Sequence, residues 1–258
     1  MPTLQTSLGT VAFDDNGKGK AVCLVHGFPL DRRVWAPVAE RLGDEARVIN
    51  VDLPGFGEAK PAKPCQIDSL AGALHEVLSE LSALPVVLAG LSMGGYVALA
   101  YAAAFGDSLA GLALVDTRAA ADDHEKRVGR DRMIQLVQRE GTEAITNAMF
   151  DDMLAHPHDN TPAVHDLRNI MNHCPPHTIE RALRAMKLRE DRTDLLPTLD
   201  LPAVVIVGEH DRITPVDEAE RMSAALPHGK LKVIPDAGHM APLEQPDAVA
   251  EALRTLLV

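Results

Sequence analysis

Residues 85–105 read PVVLAGLSMGGYVALAYAAAF, an apolar run that passes through Gly90-Leu91-Ser92-Met93-Gly94-Gly95 into an alanine-rich stretch. Residues 85–89 have the near-continuous apolar character of a strand buried on both faces of a sheet, and residues 93–105 have the length and period of a helix. A serine between them stands in a sharp strand-to-helix turn with strained backbone angles. Small residues two positions before and after it keep the chain from colliding with itself. The turn pushes the Ser92 hydroxyl into the open at the strand's carboxyl end, and the helix start behind it offers free N–H groups to a developing oxyanion.

Similar apolar runs recur on both sides of this stretch, at 21–26 (AVCLVH), 46–51 (ARVINV), 109–115 (LAGLALV), 203–207 (AVVIV) and 231–234 (LKVI). Helix-period segments at 34–42, 67–81, 217–226 and 245–257 lie between or after them. Strands alternating with helices predict right-handed crossovers and a mostly parallel, doubly wound α/β sheet. Residues 3–13 alternate around Gly9 as an antiparallel hairpin would, and Asp15-Asn16-Gly17 reads as a turn. Residues 118–195 break the alternation: they hold amphipathic helical stretches and no strand signal. The expected organisation is a discontinuous core, 1–117 with 196–258, carrying a helical cap of 118–195 tied to the strand tips.

A serine hydroxyl is a poor nucleophile at neutral pH, so it needs a base, and the base needs a partner that fixes its tautomer. Asp211 ends Gly208-Glu209-His210-Asp211 after one strand, and His239 ends Asp236-Ala237-Gly238-His239 after the next. The order Ser92, Asp211, His239 suits nucleophile, acid and base on parallel strands. Asp116, at the end of the 109–115 run, is a second candidate for the acid. His26-Gly27-Phe28-Pro29 follows the first buried strand; the N–H groups of Phe28 and Met93 are the expected oxyanion donors, while His26 satisfies backbone groups.

Leu30, Trp35, Met149 and Met153 are the candidates for an adaptable aliphatic substrate pocket, together with Leu154, Ile170 and Met171. The competing reading is that the methionines pack the cap on itself. Histidines 156, 158, 165, 173 and 177 lack i, i+4 pairing with a carboxylate on one face, so they read as solvated and no metal is expected.

Composition sets the surroundings of this chemistry. The 258 residues are 46% hydrophobic, 24% charged and 3% aromatic, and carry a formal net charge of −12. That charge repels phosphate backbones and anionic head groups, so neither nucleic acid nor a membrane surface is an expected partner. Three cysteines, Cys23, Cys65 and Cys174, lack metal-ligand spacing and suit a reducing compartment. With no basic start followed by an apolar run near the N-terminus, a cytoplasmic location is expected.

HGFP at 26–29, DLPGFG at 52–57, GLSMGG at 90–95, GEHD at 208–211 and DAGHMAPLEQP at 236–246 together resemble the α/β-hydrolase superfamily along the whole chain. The chain looks like its small capped esterases, a branch that includes carboxylesterases, pimeloyl carrier-protein methyl esterases and haloperoxidase-like enzymes. Ala59 departs from the serine that many relatives carry after the Pro-Gly-x-Gly turn. The resemblance implies an eight-stranded sheet with its second strand antiparallel, a helical cap, no cofactor, and Ser92, His239 and Asp211 as nucleophile, base and acid. The resulting expectation is a cofactor-independent serine hydrolase acting on small carboxylic esters through an acyl-enzyme. The alternatives are the same triad turned to lactone, carbon–carbon or peracid chemistry, and a slow-turnover ligand sensor.

Overall fold

The strands are β1 (Thr3–Gln5), β2 (Thr10–Asn16), β3 (Ala21–Val25), β4 (Arg47–Asp52), β5 (Val86–Leu91), β6 (Leu109–Val115), β7 (Ala203–Gly208) and β8 (Gly229–Ile234). In the computed structural model, which describes residues 2–60, 66–159 and 161–257, they form one sheet ordered β1-β2-β4-β3-β5-β6-β7-β8. β2 pairs antiparallel with both β1 and β4, and every pairing from β4 to β8 is parallel. The expected eight-stranded, mostly parallel fold is therefore the observed one. Cys65 lies outside the described residues.

The helices are α1 (Ala36–Leu42), α2 (Ile67–Glu80), α3 (Met93–Phe105), α4 (His124–Glu140), α5 (Thr142–Met153), α6 (Pro162–His173), α7 (Pro176–Lys187), α8 (Val216–Ala225), α9 (Ala241–Glu244) and α10 (Pro246–Arg254). Alternate residues of the central strands enter two apolar layers. Cys23, Val25, Leu88 and Leu114 pack with α2 and α3 on one face. Val22, Leu24, Val87 and Val115 pack with α1 and α10 on the other. Burial on both faces is why β3, β5 and β7 read as unbroken apolar runs.

Three local readings are corrected. β2 continues through Asn16, because Asp15 and Asn16 pair with Ile49 and Val48 and the Arg47 guanidinium grips the Asp15 carboxylate at 2.9 and 2.7 Å. β8 is an edge strand, half exposed rather than buried on both faces, and it begins earlier, at Gly229, with Lys230 and Lys232 in it. The helix expected over 245–257 is α10 alone, started by Pro246 and ending earlier, at Arg254, and a separate four-residue helix, α9, with Pro242 in its first turn, precedes it.

Four helices, α4 to α7, connect β6 to β7. Asp123 caps α4 by accepting from the Lys126 N–H at 2.8 Å, and Thr161 caps α6 with Pro162 behind it. A buried ion pair fixes the base of this insertion: Asp122 accepts from Arg189 at 2.7 Å and from Arg130 at 3.1 Å. The Arg189 guanidinium also lies 4.0 Å over the Tyr96 ring of α3, which ties the insertion to the helix that follows Ser92.

Candidate active site

Parallel strands put their carboxyl ends on one edge, and the order β3-β5-β6-β7-β8 sets side by side the loops that carry Phe28, Ser92, Asp116, Asp211 and His239. Ser92 closes β5 with φ 52° and ψ −112°, a left-handed conformation that is strained for a residue with a side chain. Its backbone is held from both directions: the Ser92 N–H donates to Val115 O at 2.9 Å, and the Thr117 hydroxyl donates to Ser92 O at 2.7 Å. Only glycine fits the flanks. A Cβ on Gly90 would stand 2.2 Å from Gly94 O, and one on Gly94 would stand 2.3 Å from Val25 O.

With its proton on Nδ1, the His239 ring donates to Asp211 Oδ2 at 2.8 Å, and Nε2 accepts from the Ser92 hydroxyl at 2.9 Å. His239 and Asp211 are both buried, so this relay is screened from water. Asp211 is saturated with donors: Ile213 N–H at 2.8 Å, Thr214 N–H at 2.9 Å and the Thr214 hydroxyl at 2.6 Å. Burial alone would raise the Asp211 carboxyl, but the His239 ring and these hydrogen bonds outweigh it and hold the group below its ordinary value. The structure thus brings together the three side chains singled out from the sequence.

Asp116 sits elsewhere in the network. Its backbone is left-handed at φ 44°, its Oδ1 accepts from the Gly208 N–H at 2.8 Å, and its Oδ2 finds no partner among the described residues. Burial, reinforced by the Asp211 charge, pushes the Asp116 carboxyl well above its ordinary value. The ring hydrogen bond goes to Asp211.

Beside Ser92, a Cβ on Gly27 would come 3.1 Å from Ser92 Cβ and 3.6 Å from Leu30 Cδ1, so the loop after β3 lies directly against the serine. Neither the Phe28 nor the Met93 N–H donates to a partner among the described residues, which leaves both free for a ligand oxygen. His26 bridges backbone groups: Nδ1 meets Gly27 O at 2.7 Å, and Nε2 accepts from the Leu53 N–H at 3.1 Å. Leu30, Trp35 and Met153 are fully enclosed in one apolar cluster, against which Met149 is partly buried. Trp35 Nε1 has no hydrogen-bond partner there among the described residues. Histidines 156, 158, 165, 173 and 177 are exposed, and among the described residues no group of His, Cys, Asp and Glu is placed to hold a metal.

Sequence reasoning missed two residues. Thr214 reaches both Asp211 and, at 3.3 Å, His239 Nδ1; its signal is the three-residue spacing from Asp211, which suits a side chain closing its own turn. Glu244 accepts from the Gly238 N–H, next to His239, at 2.7 Å, and it lies inside the quoted DAGHMAPLEQP stretch.

A profile of the alpha/beta hydrolase family matches residues 24–252. A pimeloyl-[acyl-carrier protein] methyl ester esterase of Chromobacterium violaceum is 32% identical over 256 residues, covering 93% of this chain and 96% of its own. A solved thermophilic esterase from Thermogutta terrifontis, malate bound, is 40% identical with a TM-score of 0.94, covering 99% of this chain and 97% of that one. The enol-lactonase from Burkholderia xenovorans shares the fold at 23% identity and a TM-score of 0.89, covering 99% of each chain.

Proposed function

The chain belongs to the alpha/beta hydrolase family, and from that premise we propose that it is a cofactor-independent serine hydrolase that cleaves small carboxylic esters through an acyl-enzyme. The observation that carries the reading is the continuous chain of contacts from Ser92 Oγ to His239 Nε2 at 2.9 Å and from His239 Nδ1 to Asp211 Oδ2 at 2.8 Å. The activities that name the relatives, a methyl ester esterase and an esterase, support the ester class.

In this reading the Ser92 oxygen attacks the ester carbonyl carbon as its proton passes to His239 Nε2. The imidazolium so formed is balanced by Asp211, whose carboxyl stays ionised because its pKa is depressed. The carbonyl oxygen gains charge and takes the free N–H groups of Phe28 and Met93. Collapse expels the alcohol, which carries away the proton held by His239. Water, deprotonated by the same ring, then releases the carboxylic acid and regenerates the Ser92 hydroxyl.

Leu30, Trp35, Met149 and Met153 line the acyl side of the pocket in this proposal, and residues 118–195 act as a cap over it. Leu30's proximity to Ser92 through Gly27 supports the first point, and the connection of α4–α7 to β6 and β7 supports the second. A cytoplasmic setting is consistent with the buried free thiols of Cys23 and Cys174. No helix among the described residues is long and apolar enough to cross a membrane.

Hydrolysis of p-nitrophenyl acetate, butyrate and octanoate tests the reading. The wild-type chain turns over at least one of them, and Ser92→Ala lowers kcat by about 10⁶-fold while leaving the fold intact. A Ser92→Ala protein that retains most of the activity contradicts the assignment, and a lactone hydrolysed in strong preference to every ester contradicts the substrate class.

A further inference from the structure

Glu244 is a half-buried carboxylate at the end of α9, five residues after His239 and away from the reacting atoms. Its two oxygens are spent on two separate parts of the chain. Oε2 accepts from the Gly238 N–H at 2.7 Å, and Oε1 accepts from the Ala155 N–H, also at 2.7 Å. The Met240 N–H faces the same carboxylate, so the backbone on both sides of His239 is directed at one side chain. Ala155 belongs to the segment that leaves α5 in the helical insertion.

Packing joins the same two segments. A Cβ on Gly238 would stand 2.6 Å from Ala155 N and 2.6 Å from Leu154 C, so the insertion's backbone is pressed onto the loop that carries the imidazole. On its other side Glu244 borders a cleft of about 390 Å³ shared with Leu154, His156, Asp159, Val164 and Asp236. Residues 154–155 are thus held to the His239 loop by the Ala155 N–H bond to Glu244 together with the close contact at Gly238.

We infer that Glu244 is a positioning residue: it clamps the His239 loop to residues 154–155 of the insertion, so the imidazole is in register with Ser92 only while that segment is docked. The inference rests on the serine-hydrolase reading for its kinetic consequence, and on geometry alone for the clamp. A charged carboxylate is needed because it accepts at both oxygens. An amide of the same shape turns one acceptor into a donor that faces an N–H.

Glu244→Gln tests it at nearly constant volume, with Glu244→Ala as the variant that removes both bonds. Active sites are counted by stoichiometric reaction with a fluorophosphonate, so unfolded chains do not enter the rate. In Glu244→Gln, kcat per titrated site on p-nitrophenyl butyrate falls by about 10²-fold, the scale of an ångström-sized misplacement. KM changes by less than about twofold, because the lost interaction matters in the transition state. Deuterium uptake rises together in peptides covering 154–156 and 236–240. An unchanged kcat per titrated site, or uptake that rises in only one peptide or in neither, overturns the inference. A wild-type chain inert to both ester and fluorophosphonate overturns the reading of the site instead, and the exchange experiment still decides the clamp.

Discussion

Two buried aspartates lie at the same edge of the sheet, and their surroundings divide the labour between them. Asp211 has four donors on its two oxygens, counting the His239 ring, whereas Asp116 takes the Gly208 N–H on Oδ1, faces the Ala241 N–H, and has no hydrogen-bond partner at Oδ2 among the described residues. The sequence assigned the acid to Asp211 by chain order and kept Asp116 as a competitor, since both follow strands at the same edge; the Thr214 turn, a contact visible only once the loop is folded, separates them. Asp211→Asn is expected to lower kcat by about 10⁴-fold, because an amide facing Nδ1 favours the wrong tautomer. Asp116→Asn leaves kcat much less affected and alters stability with pH instead. Because the Asp116 carboxyl is raised on folding, its contribution is fully present below its unfolded value near 3.8 and is lost as pH rises through the raised one. The melting temperature of Asp116→Asn relative to wild type therefore climbs between pH 4 and pH 8; a constant or falling difference contradicts the buried, uncompensated charge.

At the scale of elements, the strand-turn-helix around Ser92 was legible because each part carries its own signal: an apolar run, glycines at fixed offsets and an uninterrupted helix. Gly94→Ala tests that geometry, since the new methyl would meet Val25 O at 2.3 Å, a backbone atom that cannot rotate away. It is expected to lower the urea midpoint by the equivalent of about 1–3 kcal/mol or more and to displace Ser92. The base of the insertion is a second test. Asp122→Ala strands the buried Arg189 guanidinium at a cost of about 3–5 kcal/mol, read from the same denaturation curve. What was not legible at this scale follows from tertiary context. Lys230 hid the start of β8 because an edge strand tolerates charge, and the four-residue α9 is too short to show a hydrophobic period. Glu244 escaped notice because one of its partners lies 89 positions away.

Across the whole molecule, strand order turns a dispersed set of residues into a site. Ser92 and His239 are 147 positions apart in sequence, yet β5 and β8 lie in one parallel array with their loops at a common edge. The alternation of strands and helices predicted that array, whereas the docking of the insertion on α3 depends on contacts such as Arg189 with Tyr96 that no local pattern announces. The net charge of −12 belongs to this scale as well. The chain is expected to pass through a heparin column at low salt and to stay in the supernatant with anionic vesicles; retention on either contradicts the exclusion of polyanionic partners.

The central claim is that Ser92 carries the acyl group during turnover. Acid quenching the protein while it hydrolyses a slowly deacylating p-nitrophenyl ester, followed by intact-mass and peptide mass spectrometry, tests it directly. The account predicts one acyl group per chain, on the peptide containing Ser92, and none in Ser92→Ala. Turnover with the acyl group on another residue, or undiminished turnover by Ser92→Ala, would contradict it.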